Sequence, residues 1–303
     1  MLGIVLMGVL GTALLGSIAF DWFDDSDDDE QRSSDEETGS EDEVDALPEI
    51  IGTDGNDELI GSDADEAIYG LGGDDTLMGG GGDDLLDLGD GSESGTRSVA
   101  QGEEGDDTII GGTGFHRLYG GAGDDELHLL GSFERPWDGD DEAVDGEPEL
   151  ASGGPGEDTI YVEESDLGEE TPGVWVALND GVSLSQSTSD DVAAQDTVII
   201  RDGDADVLIT RFELGGADSP TGDMLDLSEL TNTDGDPITV DDVDLYFNQS
   251  SGQFYNAFIS IPTGPDGETL RIRLNHINFG QDNGIGGPNL PHDEFLSLIG
   301  IPA

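Results

Sequence analysis

The chain has 303 residues, of which 72 are Asp or Glu and 8 are basic, all of them Arg, giving a formal net charge of -64. Nucleic-acid binding relies on clustered Lys and Arg that release phosphate counterions, so this balance argues against it, and against docking on anionic lipid for the same reason. Cys is absent, and only 34% of residues are hydrophobic against 48 Gly, which excludes disulfides and thiolate metal sites and leaves little for a conventional core.

Residues 1–20 carry no charged side chain and as a helix would reach about 30 Å, enough to span a bilayer. No basic residue precedes the apolar run, yet Ser17 and Ala19 form a small-x-small pattern of the kind a signal peptidase accepts. Three readings stand: an uncleaved membrane anchor, a signal peptide, or an apolar oligomerising tail, with span length favouring the first two. Residues 21–50 hold 15 acidic side chains and one Arg. Their mutual repulsion and scarce apolar residues predict an acidic disordered linker.

A nine-residue period begins at Gly52. Four contiguous copies read GTDGNDELI (52–60), GSDADEAIY (61–69), GLGGDDTLM (70–78) and GGGGDDLLD (79–87). GEEGDDTII (102–110), GGTGFHRLY (111–119) and GGAGDDELH (120–128) form a second block, and GGPGEDTIY (153–161) stands alone. Gly comes first in every copy, Gly fourth and Asp sixth in most, and the eighth position is always aliphatic: Leu59, Ile68, Leu77, Leu86, Ile109, Leu118, Leu127 and Ile160. A disordered spacer has no reason to keep that aliphatic column, whereas a stacked repeat architecture requires it.

Each copy divides into a six-residue turn and a three-residue strand. Gly at positions one and four supplies backbone conformations and close approach that other residues resist. In the strand, the middle side chain points inward and its neighbours outward. Two copies then make one coil of a parallel roll, and successive coils stack their aliphatic residues into a narrow core. Stacking also brings the sixth-position carboxylates into register, which bare charges do not tolerate. A hard divalent cation removes the conflict. Ca²⁺ accepts six to eight oxygen ligands in adaptable geometry, while Mg²⁺ demands a tighter octahedron. Softer metals lack their preferred ligands in a chain with no Cys and four His.

The copies resemble the G-G-x-G-x-D-x-U-x nonapeptide of the RTX (repeats-in-toxin) family, most closely at 70–78, 79–87, 120–128 and 153–161. The resemblance implies an all-β fold, a parallel β-roll over 51–161 that binds Ca²⁺ in its turns, followed by a β-rich C-terminal domain over 162–303. The metal ligands it implies are the carboxylates of Asp57, Asp75, Asp84, Asp107, Asp125 and Asp158. Backbone around Gly52, Gly55, Gly70, Gly73, Gly79, Gly82, Gly102, Gly105, Gly120, Gly123, Gly153 and Gly156 assists them. In the second copy Ala64 replaces Gly and Glu66 replaces Asp, so Glu66 ligates with adjustment. In the sixth copy His116 takes the Asp position and marks a lost or weakened site. About six ions would offset only about 12 of the 64 negative charges.

The interruptions at 88–101 and 129–152 are expected to loop from one face while the roll runs through both. Within the second, Phe133, Arg135 and Trp137 form either a contact surface or a flap over the roll's aliphatic edge. After Tyr161 the glycine pattern stops. Val174 to Leu178, Thr197 to Arg201, Val207 to Phe212 and Leu225 to Leu227 are β-prone runs. Phe254 to Ile261 and Thr269 to Asn278 flank PTGPDGE and predict a hairpin, with Leu270, Ile272 and Leu274 alternating with Arg271 and Arg273. Val207 to Phe212 followed by Asp223-Met224-Leu225-Asp226-Leu227-Ser228 is similar to the segment after many RTX rolls, with Arg211 where that pattern has Asp. In such proteins this region caps the roll and carries an uncleaved type I secretion signal. Phe295 to Ile301 is compatible with that signal, and equally with the last strand of the cap.

His116, His128, His276 and His292 lie in no H-E-x-x-H motif, and no G-x-S-x-G elbow occurs. The chain is therefore expected to bind calcium rather than to be an enzyme: a secreted or surface-displayed structural protein that folds where Ca²⁺ is abundant. The alternative is a glycan-binding adhesin or carbohydrate-active enzyme working through the C-terminal strands.

Overall fold

The computed structural model describes residues 47–91, 97–130, 149–163, 174–178, 194–214, 222–251, 254–264, 268–278 and 291–303. The anchor expected over residues 1–20, residues 21–46 of the linker expected over 21–50, and the segment holding Phe133, Arg135 and Trp137 lie outside the described residues; the end of that linker is not disordered, because Glu49 and Ile50 open the first strand and pair with residues 67 and 68.

The first strands follow the nonapeptide period: β1 (Glu49–Ile51), β2 (Glu58–Ile60), β3 (Ala67–Tyr69), β4 (Thr76–Gly81) and β5 (Leu85–Asp87). The chain continues through β6 (Ser98–Glu104), β7 (Thr108–Ile110), β8 (His116–Ala122), β9 (Glu126–Leu129), β10 (Leu150–Ser152) and β11 (Thr159–Val162). Beyond the repeats come β12 (Val174–Ala177), β13 (Thr197–Ile200), β14 (Asp206–Thr210), β15 (Met224–Asp226), β16 (Asp244–Ser251), β17 (Phe254–Thr263) and β18 (Glu268–Asn278). One helix, α1 (His292–Leu298), comes last.

Strands alternate between two sheets. The odd-numbered strands β1 to β15 form an eight-stranded parallel ladder, and the even-numbered strands β2 to β14 form the other, which β18, β17 and β16 extend to ten. Each pair of repeats therefore makes one coil, as the nine-residue period predicts. In every three-residue strand the middle side chain points between the sheets. Ile68, Leu86, Ile109, Leu127, Ile160 and Val198 from one sheet face Leu77, Ala100, Leu118, Ala151, Val176 and Ile209 from the other, all fully buried. Each buried Leu or Ile contributes about 1.5–3 kcal/mol relative to exposure. Leu59 is only half-buried, because it belongs to the first coil and is covered from one side.

The ladders pass through both interruptions, since β6 and β10 form within them and pair with their neighbours. They also pass Tyr161. The division expected there marks the end of the glycine pattern, not the end of the stack: β11 pairs with β13, β13 with β15, and β12 with β14, all parallel.

The hairpin expected from Phe254 onward is present, β17 pairing antiparallel with β18, and β18 in turn pairing parallel with β14. Leu270, Ile272 and Leu274 are buried, whereas Arg271 and Arg273 face outward. The last segment corrects the strand reading of residues 295–301, because residues 292–298 are helical. Phe295, Leu296 and Ile299 fall on one helical face and are buried, and Asp293 and Glu294 occupy the first turn, where the helix dipole favours acids. Phe247 meets Phe295 edge-on at 4.9 Å, and the Leu225 N–H donates to the Ile299 carbonyl at 2.7 Å. The helix thus covers the far end of the first sheet.

Candidate metal centre

Alternation of sheets sorts the turns onto two rims. Turns 61–66, 79–84, 102–107, 120–125 and 153–158 lead into the first sheet and stack on one rim; turns 52–57, 70–75 and 111–116 lead into the second sheet and stack on the other. The first rim therefore gathers Glu66, Gly79, Gly82, Asp84, Gly102, Gly105, Asp107, Gly120, Gly123, Asp125, Gly153, Gly156 and Asp158. The second gathers Gly52, Gly55, Asp57, Gly70, Gly73 and Asp75. The connections β5 to β6, β9 to β10 and β11 to β12 all run from the first sheet to the second. Both interruptions hence fall on the second rim, and the first keeps an unbroken column of repeats.

On the first rim the acids interlock. The Glu66 N–H donates to Asp84 Oδ1 at 2.8 Å, Asp84 N–H to Asp107 Oδ1 at 2.9 Å, and Asp107 N–H to Asp125 Oδ1 at 2.9 Å. Asp125 N–H then donates to Asp158 Oδ1 at 3.0 Å, Asp158 N–H to Asp196 Oδ1 at 2.9 Å, and Asp196 N–H to Asp223 Oδ1 at 3.2 Å. Each carboxylate so spends one oxygen on the coil before it. The other oxygen, Oδ2 of Asp84, Asp107, Asp125 and Asp158, is buried without a hydrogen-bond donor, and so is Oδ2 of Asp75 on the second rim. A buried, unpaired carboxylate oxygen is costly.

These oxygens converge on backbone carbonyls. A Cβ added to Gly79 would overlap Asp84 Oδ2 and lie 2.8 Å from the Gly102 carbonyl; on Gly102 it would overlap Asp107 Oδ2 and lie 2.6 Å from the Gly120 carbonyl. On Gly120 the same holds for Asp125 Oδ2 and the Gly153 carbonyl at 2.7 Å. The first-position glycine thus leaves a cradle in which a carboxylate oxygen of its own turn and a carbonyl oxygen of the next coil approach one point. Fourth-position glycines Gly73, Gly82, Gly105, Gly123 and Gly156 have φ between 105° and 149°, a region that side-chain-bearing residues rarely adopt. This donor set, all hard oxygen and lacking a proton donor, fits a calcium ion.

The electrostatics agree. Burial, offset in part by the N–H donated to Oδ1 and reinforced by neighbouring carboxylates, raises Asp107 to about 6, Asp125 to about 7 and Asp158 to about 8. Asp75 and Asp84 are raised for the same reasons. The column holds more negative charge than it can ionise without a counter-ion.

The first turn on each rim differs. Asp57 Oδ2 accepts from Thr53 N–H at 2.7 Å and from Thr53 Oγ1 at 2.8 Å. Glu66 accepts from Ser62 N–H at 3.0 Å and also from the Ser62 hydroxyl. A hydroxyl residue at position two supplies the donor that the later turns lack.

The second rim also changes character beyond Asp75. By register, its column continues with Ser98, His116 and Glu149, all buried. Ser98 Oγ accepts from Asp75 N–H at 3.1 Å. The His116 ring lies where a Cβ on Gly111 or Gly114 would meet it at 3.5 Å or 3.3 Å, so imidazole fills the space of that turn. Its Nδ1 faces Glu149 Oε1 at 3.9 Å. Burial raises the Glu149 carboxyl, while His116 pulls it down.

Asp196 and Asp223, which continue the first rim, lie outside any glycine-rich nonapeptide. Their signal is the second half of the repeat alone, Asp196-Thr197-Val198 and Asp223-Met224-Leu225, an acid followed at the second position by an inward aliphatic.

No helix among the described residues is long and apolar enough to cross a membrane. The RTX calcium-binding nonapeptide repeat family, described as four copies, matches residues 49–77, 60–92 and 101–131. Comparison with curated proteins finds no match. The matched residues are thus RTX calcium-binding nonapeptide repeats, wound into a two-sheeted parallel roll with acid-lined turns.

Proposed function

We propose that this is a secreted or surface-displayed structural protein whose roll folds on binding Ca²⁺ outside the cytoplasm. Asp84, Asp107, Asp125 and Asp158 on the first rim and Asp75 on the second are its principal carboxylate ligands, through Oδ2, with the carbonyls of the glycines that open the neighbouring turns. The observation that carries this reading is the run of buried Oδ2 atoms without donors, repeated in register with the coils. Asp57 and Glu66 are weaker ligands, because Thr53 and Ser62 already serve them. Turn sites of this kind, at roughly 10⁻⁴ to 10⁻³ M affinity, leave the chain unfolded where Ca²⁺ is scarce and folded where it is abundant. Such coupling suits export of an unfolded chain, with the C-terminal region as its type I signal. The protein works by adopting a calcium-dependent shape, not by turnover.

Metal analysis of the full chain after dialysis against millimolar Ca²⁺ tests the ligand assignment. About five ions per chain are expected, falling by about one in each of D84N, D107N and D125N. Retention of no calcium above the dialysis buffer would overturn it.

A further inference from the structure

Arg201 is paired, its Nη1 2.6 Å from Glu163 and its Nε 3.0 Å from Glu229. That is the expected fate of a cation in a chain with 72 acidic residues. Arg271 and Arg273 depart from it. Both are exposed on the outer face of β18, two residues apart and hence about 6.6 Å along the strand, and among the described residues neither makes an ion pair.

Their surroundings are specific. Register places Asp206, Arg271, Ser260 and Asp244 in one row across β14, β18, β17 and β16, and Leu208, Arg273, Phe258 and Tyr246 in the next. Tyr246 and Phe258 stack at 4.4 Å with planes 5° apart, and the Arg273 guanidinium lies 5.3 Å from the Phe258 centroid. Tyr246 remains 58% exposed at the outer strand. Between the rows runs an open groove of about 350 Å³, the size of a small-ligand site.

We propose that this groove binds a carboxylate-bearing glycan, a uronic-acid oligosaccharide. The two guanidinium groups offer only donors and positive charge, which suits carboxylates. Asp206 and Asp244 offer only acceptors, which suits hydroxyls, and Tyr246 and Phe258 offer an apolar wall for sugar C–H groups. A uronate carries all three complements. A polyacidic peptide lacks the hydroxyls and so has nothing to offer the two aspartates. The groove lies on the outer face of the hairpin, away from the calcium turns, so it stands or falls separately from the calcium reading and gives the glycan-binding alternative a site.

The test is calorimetric titration of the full chain in calcium buffer with the trimers of galacturonate, mannuronate and guluronate. Their methyl esters and a hexaglutamate peptide serve as controls, and circular dichroism confirms that each protein is folded. At least one uronate is expected to saturate, its methyl ester to bind at least about tenfold more weakly, and the R271Q/R273Q double variant to lose at least about tenfold in affinity. R271K/R273K should keep part of that affinity, and Y246A should weaken binding without altering the fold. The proposal is overturned if no uronate binds, if ester and acid bind alike, if the double Gln variant binds as the parent does, or if hexaglutamate binds more tightly than every uronate.

Discussion

Asp107 Oδ1 accepts a 2.9 Å hydrogen bond from the N–H of Asp84, one coil earlier, while Asp107 Oδ2 is buried and meets no donor. One side chain thus joins two coils through one oxygen and leaves the other buried without a donor. The same division repeats at Asp84, Asp125 and Asp158, so structural continuity and unpaired negative oxygen reside in a single column.

Substitution should separate column positions by what already satisfies them. D107N keeps an acceptor for the Asp84 N–H but removes the charge, and is expected to raise the calcium midpoint of folding about tenfold or more. D57N is expected to raise it about twofold or less, because Thr53 already donates twice to Asp57. Calcium titrations of the two variants, followed by circular dichroism, check this; equal shifts would remove the distinction between the turns.

Glycine has two uses here, and they predict different costs. In G102A the methyl group would overlap Asp107 Oδ2 and press on the Gly120 carbonyl, so calcium-dependent folding should fail or need at least about tenfold more Ca²⁺. Gly235 has φ of 84° but nothing within 4 Å of an added Cβ. G235A should therefore cost only about 1–2 kcal/mol of backbone strain and leave the calcium midpoint of folding nearly unchanged in the same titration.

How much of this is legible in the sequence? The nine-residue period announced the coils, the aliphatic column and the acid column, because each depends on local spacing alone. Two copies to a coil already imply two rims, but the period could not reveal which copies share a rim once the interruptions at 88–101 and 129–152 break the count. That sorting shows His116 and both interruptions to be properties of one rim, with the other left regular. Nor did the glycine pattern reach Asp196 and Asp223, which keep only the acid and the inward aliphatic of a repeat. Register with Asp158, not turn composition, puts them in the column. The final helix was hidden for a similar reason: Phe295 to Ile301 is apolar enough for a strand, and its helical face is defined by the end of the roll that it covers.

His116 occupies its turn with imidazole and faces Glu149, so that turn should need no metal. H116A is expected to destabilise the folded, calcium-loaded protein by about 1–3 kcal/mol, through the lost packing and a buried carboxyl deprived of its partner. The number of bound calcium ions should not change. Denaturant unfolding combined with metal analysis distinguishes this from a ligand role, in which one ion would be lost.

Acidity should oppose calcium. In the metal-free roll Asp125 and Asp158 are raised to about 7 and about 8, from a value of 3.8 without the fold's influence. Raised carboxyls in the folded state bind more protons than the unfolded chain does. Their contribution to metal-free stability is therefore fully present below about pH 4 and is lost as pH rises towards 8. Calcium needs them ionised, as they already are at pH 7 in the unfolded metal-free chain, so folding onto calcium should release few protons there, and the calcium midpoint should increase as pH falls towards 4, where the unfolded chain takes up protons. Calorimetry in buffers of different ionisation enthalpy counts those protons; substantial proton release at pH 7 would contradict a chain that is unfolded without metal.

The most direct measurement is far-ultraviolet circular dichroism of the full chain during titration with Ca²⁺ and, separately, Mg²⁺. The β signal is predicted to rise cooperatively with Ca²⁺, to reverse on chelation, and to rise little with Mg²⁺ at equal concentration. A β signal already complete without metal, or one that Mg²⁺ restores equally well, would contradict a roll folded by calcium in its turns.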